Sequence, residues 1–98
     1  MKYQIWYAKP EAFGNMLTSA NDLSATHVHL TDIEAHGLDA AWCAMQGEIW
    51  SPNGEARELI QSKGLQHTSM SVGDVIIDDV GNAHTVAGAG FKAIGGVR

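Results

Sequence analysis

The chain switches between two hydrophobic spacings. Residues 2–8 place Tyr3, Ile5 and Tyr7 on one side and Gln4, Trp6 and Ala8 on the other. A period of two built from aromatic and β-branched residues predicts a strand. Both sides are partly apolar, so this strand is expected in the middle of a sheet. Pro10 suits the first position of a short helix, in which Phe13, Met16 and Leu17 share one side. Residues 18–24 are small and polar and predict a loop. Residues 25–31 alternate again, with Thr26, Val28 and Leu30 towards a core and His27, His29 and Thr31 on the other face.

The spacing then becomes helical. Leu38, Ala41, Trp42 and Met45 form one stripe over residues 38–46, which would pack Trp42 against the sheet. Asp39 is an N-cap or first-turn acid, and Gly47 is expected to stop the helix in the left-handed conformation. Trp50-Ser51-Pro52-Asn53-Gly54 predicts a turn, and residues 55–63 a second short helix that buries Leu59 and Ile60 before Gly64, with a strand there as the alternative. A Gly73-Asp74 turn leads into the β-branched run Val75-Ile76-Ile77. A second turn at Asp79-Val80-Gly81-Asn82 and strands at 83–86 and 91–94 complete a C-terminal meander, expected to carry the core. The fold class that follows is α+β: one small domain, an antiparallel or mixed sheet of about five strands, with one or two short helices on one face.

Composition narrows the functional classes. Ninety-eight residues suit one domain with one core. The chain has no apolar run of transmembrane length and a start unlike a signal peptide, and its single cysteine, Cys43, precludes an internal disulfide. These features lead us to expect a reducing cytoplasm and no membrane partner. The net charge is −5, and no Lys or Arg lies between Lys9 and Arg57, an interval holding Glu11, Asp22, Asp32, Glu34, Asp39, Glu48 and Glu55. Binding phosphates needs cations, so direct nucleic-acid binding is not expected of this half, whereas a protein with a basic surface is a suitable partner. The same acids also serve solubility.

Candidate chemistry is sparse. His27 and His29 share one face of a strand about 6.5–7 Å apart, and His36, Asp32 and Glu34 follow closely, a spacing that allows a shared metal without fixing a third ligand. Solvent-facing histidines are the plainer reading. Cys43 lies mid-helix with no local cation, so it reads as buried or half-buried packing rather than a nucleophile. No G-x-S-x-G elbow occurs, and Ala87-Gly88-Ala89-Gly90 lacks the lysine and helix of a phosphate loop, so it reads as a turn or β-bulge between two strands. Trp50 is either a core staple or a partly exposed binding anchor. No cofactor is implied.

The segment Thr68-Ser69-Met70-Ser71-Val72-Gly73-Asp74-Val75-Ile76-Ile77, with a hairpin and Gly90-Phe91-Lys92 after it, resembles the C-terminal signature of small proteins encoded by phages and plasmids, and the YodL-like domain of conjugative elements. Met45-Gln46-Gly47-Glu48 and Trp50-Ser51-Pro52-Asn53-Gly54-Glu55-Ala56-Arg57 are similar to a block in the same proteins. Ala87-Gly88-Ala89 departs from the aromatic or charged residues expected before Gly90-Phe91. The resemblance implies a mobile-element accessory protein and carries over no catalytic residues. The expectation is therefore a non-enzymatic acidic protein that occupies a host or competitor protein, such as a bacterial defence complex, through Asp32, Glu34, Asp39, Glu48, Trp50 and Glu55. A small metal-binding protein or enzyme using His27, His29 and His36, and a homo-oligomeric phage component, are the alternatives.

Overall fold

The computed structural model describes residues 1–14 and 23–96. In chain order the elements are β1 (Lys2–Ala8), a single 3-10 turn (Pro10–Ala12), α1 (Leu23–Thr26), β2 (His27–Glu34), α2 (Leu38–Ala44), α3 (Gly47–Trp50), α4 (Arg57–Ser62), β3 (Val75–Ile77), β4 (Asn82–Ala87) and β5 (Gly90–Gly96). The strands form one antiparallel sheet in the order β2-β1-β3-β4-β5. This is the α+β architecture expected. The predicted helix through Met16 and Leu17, and residues 18–22 of the predicted loop, lie outside the described residues. Among the described residues no helix is long and apolar enough to cross a membrane.

β1 is central, as its two apolar sides predict. Tyr3, Ile5 and Tyr7 are buried in the larger core with Leu30, Ala41, Met45, Ile60, Leu65, Met70, Ile76 and Val86. That core lies between the sheet and the segment carrying α2, α3 and α4. The opposite face is also apolar, with Leu23, Val75, Ile77, Ala83 and Ile94 clustered and Trp6 packed against them. The C-terminal meander forms as expected, but the core is centred on β1, because β1 inserts between β2 and β3 and is paired along both edges.

Several local expectations change for identifiable reasons. Ala25 and Thr26 belong to the helical turn α1, so β2 starts at His27 and runs on to Glu34. A bulge interrupts its pairing with β1: Ile5 faces Thr31 while Trp6 faces His29, leaving Leu30 as the extra residue. The bulge resets the alternation, so Thr31 lies opposite Ile5 rather than on the histidine face. Residues 47–50 form α3 instead of a stop. Gly47 does not take a positive φ. Its backbone N–H donates to Ser69 Oγ at 2.8 Å, and a Cβ there would lie 2.9 Å from that same oxygen. Close approach, not left-handedness, requires glycine here. Cys43 is exposed on α2 rather than buried.

The helical segment returns to the sheet through a buried carboxylate. Asp74 precedes β3 and is 0% exposed. Its Oδ1 accepts from the Ala8 backbone N–H at 2.8 Å, and its Oδ2 from Ser71 N–H at 2.8 Å. Its own carbonyl accepts from Val86 N–H at 2.8 Å and from Thr85 Oγ1 at 3.3 Å. One residue thus ties the end of β1, the 70–73 turn and β4 together. Asp74→Ala leaves the buried Ala8 amide and the partly buried Ser71 amide and His67 ring without their acceptor and is expected to cost about 3 kcal/mol or more in chemical denaturation, with Asp74→Asn, which keeps one acceptor oxygen, losing less.

Candidate functional site

Two arrangements could carry function: a polar network inside the molecule and a groove on its surface. The network is built on Asp74. His67 Nε2 donates to its carboxylate at 2.8 Å to Oδ2 and 3.1 Å to Oδ1. The imidazole stacks on Tyr7 with ring centroids 4.6 Å apart and planes 12° apart, and Phe13 meets it edge-on at 4.5 Å. Tyr7 Oη donates to the Thr68 carbonyl at 2.6 Å and lies 3.3 Å from the Met45 carbonyl. Burial, and then the negative charge of Asp74, push the Tyr7 phenol well above the usual tyrosine range, so it stays a hydrogen-bond donor.

His27 approaches the same turn from β2. A carbonyl only accepts, so the 2.7 Å contact to Gly73 O places the proton on His27 Nε2. Nδ1 is then the acceptor for Thr26 Oγ1 at 2.8 Å. Burial lowers the pKa of the ring below the histidine norm; the Gly73 bond and the Asp74 charge oppose that shift, and the neighbouring His67 adds to it. The described residues leave no buried side-chain nitrogen or oxygen without a partner. Asp–His pairing resembles the orienting half of a nucleophilic site, but here the carboxylate is occupied by backbone amides and Tyr7 is held as a neutral donor. The network fastens the turn to β1.

The histidines proposed as ligands separate. His27 and His29 do share one face of the sheet, but both His27 nitrogens are bonded. His29 stacks on Trp6 with centroids 5.1 Å apart, and its Nε2 meets Asp32 Oδ1 at 2.7 Å. His36 is exposed beyond the end of β2. Among the described residues no three His, Cys, Asp or Glu side chains converge as a metal site.

The acidic candidates divide in the same way. Asp32 and Glu34 stand on β2, where Lys2 Nζ lies 3.9 Å from Asp32 and the terminal ammonium 3.3 Å from Glu34. Asp39 lies in the first turn of α2 and Glu48 in that of α3. Glu55 accepts from the Asn53 backbone N–H at 3.0 Å, which holds its exposed carboxyl below the ordinary glutamate range. Trp50 is half-buried against the core, and its Nε1–H donates to the Thr68 carbonyl at 3.0 Å. That geometry fits the staple better than the exposed anchor.

The surface groove has a volume of about 470 Å³ and lies between α2, the 70–72 segment and the tip of the β4–β5 hairpin. Trp42, Met70, Val72 and Phe91 supply apolar walls, and Asp39 supplies a carboxylate. Trp42 is 36% exposed and Val72 39%, so two large apolar side chains of the groove wall face water. Sequence spacing assigned Trp42 to the sheet-facing stripe, yet Ala41 and Met45 take the buried positions and Trp42 falls at the stripe's border. The hairpin tip closes the groove through Ala87, Gly88 and Gly90, where the glycine-rich turn was expected.

Sequence reasoning missed Tyr7, His67 and Asp74 as one cluster, since the first is 60 or more positions from the others. The available signal was Asp74 itself, an ionisable group immediately before a run of core-forming β-branched residues. Compared with known proteins, the chain matches no protein-family model, no curated protein and no solved structure.

His27 makes stability depend on pH. As pH falls below the ordinary histidine value of 6.5, the unfolded chain takes up a proton on this ring while the folded chain resists it. The unfolded state then binds more protons, so this contribution to folding, present above 6.5, declines as pH drops through the lower folded value. The urea midpoint is expected to fall between about pH 7.5 and about pH 5.5, and His27→Gln to flatten part of that decline.

Proposed function

We propose that the chain is a non-enzymatic binding protein of a phage or other mobile element that occupies a host or competitor protein through a basic, partly apolar segment of that partner. The observation carrying this reading is the groove between α2 and the β4–β5 hairpin. It joins Asp39 and Trp42, from the long interval without Lys or Arg, to Val72 and Phe91 from the C-terminal half. Exposed apolar side chains rimmed by polar groups mark interaction surfaces. A volume of about 470 Å³ takes one or two partner side chains. An aliphatic anchor with an Arg or Lys beside it matches both the apolar walls and the Asp39 carboxylate.

The resemblance to phage and plasmid accessory proteins supplies the biological setting, and inhibition of a bacterial defence complex is the concrete form proposed. The basic groups of such a complex would meet Asp39, with Glu48 and Glu55 contributing longer-range attraction. Trp50 supports this surface from inside by fixing α3 to the 65–70 segment.

Tryptophan emission, to which Trp42 contributes alongside Trp6 and Trp50, is the readout, with Trp42→Phe as the control that should remove the response. Short peptides with one Leu or Ile flanked by Arg or Lys are expected to shift and saturate the emission, and Glu-flanked versions to leave it unchanged. Asp39→Lys should abolish binding of the basic peptides, and Phe91→Ala should weaken it at least tenfold, a loss of about 1.4 kcal/mol. Val80→Ser, at the opposite end of β4, should bind as the parent does. Equal binding of acidic and basic peptides would overturn the assignment.

A further inference from the structure

We infer that the edge of β2 left unpaired among the described residues is a dimerisation edge, on which a second copy of this chain pairs antiparallel through its own β2. β2 is one of the two outer strands of the sheet. The direction of its backbone groups follows from the contacts at its ends. Ala35 N–H donates to Met1 O and the Met1 amine donates to Ala35 O, each at 3.0 Å, so that pair is hydrogen-bonded. Antiparallel ladders alternate bonded and non-bonded pairs. Ile33 and Thr31 therefore face β1, and the amides and carbonyls of Asp32 and Glu34 point outward. At the other end Lys9 N–H donates to Thr26 O at 2.8 Å. Val28 then faces β1, and His27 and His29 point outward.

The outward positions are self-complementary. Pairing about a two-fold axis between Leu30 and Thr31 sets His29 opposite the partner's Asp32 and the backbone of His27 opposite that of the partner's Glu34, the buried His27 ring staying on Thr26 and Gly73. Val28 then lies opposite the partner's Ile33, and both are half-buried on the helix-covered side. In an unbroken strand His29 and Asp32 would lie on opposite faces. The bulge at Leu30 puts them on one face, as their 2.7 Å contact shows, and the two-fold axis gives both copies the bulge at the same place. Each outward backbone donor and acceptor at these positions meets its counterpart, and two His29–Asp32 hydrogen-bonded pairs come together.

The other outer strand lacks these properties. β5 carries Lys92 on an exposed position and Gly90, Gly95 and Gly96, which weaken an edge as a pairing template. β2 has no Lys, Pro or Gly among its eight residues. A contact one strand long is smaller than a standard protein interface, so the dimer belongs to the weak class that forms at micromolar concentration.

The experiment is sedimentation velocity of the full chain across the micromolar range, with charge-exchanged variants. The parent is expected to move from monomer to dimer. His29→Glu, which sets two carboxylates opposite each other, and Asp32→Lys, which sets a cation opposite His29, are each expected to remain monomeric. Circular dichroism and a cooperative urea transition verify their folding. Mixing the two variants is expected to restore a one-to-one heterodimer, because the carboxylate introduced by His29→Glu in one copy then faces the ammonium introduced by Asp32→Lys in the other. A parent that stays monomeric at high micromolar concentration, a dimer unaffected by either variant, or a mixture that fails to associate would each overturn the inference.

Discussion

A buried carboxylate has to be neutralised or fully hydrogen-bonded, and Asp74 is where this chain meets that requirement. Removing an ion from water costs several kcal/mol even after relaxation, so its neighbours must supply donors in fixed positions. Ala8 and Ser71 supply two backbone amides and His67 supplies its ring. Satisfying them sets where the 65–73 segment lies relative to β1. That placement brings His67 onto the face of Tyr7, and Tyr7 in turn holds the carbonyls of Met45 and Thr68. The end of α2 and the approach to β3 are therefore fastened to the central strand through one connected set of polar contacts inside the apolar core.

The same set explains why the most chemically suggestive residues of the chain are structural. His27, His67, Tyr7 and Asp74 have the composition of a reactive site, but their donors and acceptors are engaged with backbone and with one another. What remains available to a partner is surface: the groove walled by Trp42, Val72 and Phe91, and the strand edge carrying His29 and Asp32. The groove depends on the network, since Met70 and Ser71 line it and the Ser71 amide is held by Asp74. Gly47 contributes from the other side, because its lack of a Cβ lets α3 approach Ser69.

Legibility followed the range of the interaction. β1 was plain in the alternation of Tyr3, Ile5 and Tyr7, and its central place in the two apolar faces. The hairpin turns were plain in Gly81 and the Ala87–Gly90 stretch. α2 and α4 were visible in their apolar spacing, with Gly64 at a positive φ ending the second as expected. The phase of β2 was legible only as far as Leu30, because a bulge is a property of the pair of strands and leaves no mark on one of them. Trp42 was placed on the sheet-facing side for a similar reason, and it opens onto the groove instead. The apolar stripe of a two-turn helix does not say which of its border residues meets the sheet.

The amino-acid sequence alone determined β1, α2, α4, the C-terminal meander, the α+β class and the uneven placement of charge, since each arises from neighbours a few positions apart. Only the tertiary structure decided that Tyr7, His27, His67 and Asp74 meet, that Trp42 opens onto a groove, and that His29 and Asp32 share one face of an outer strand. Those contacts join residues brought together by burial and strand register, and the spacing along the chain contains neither.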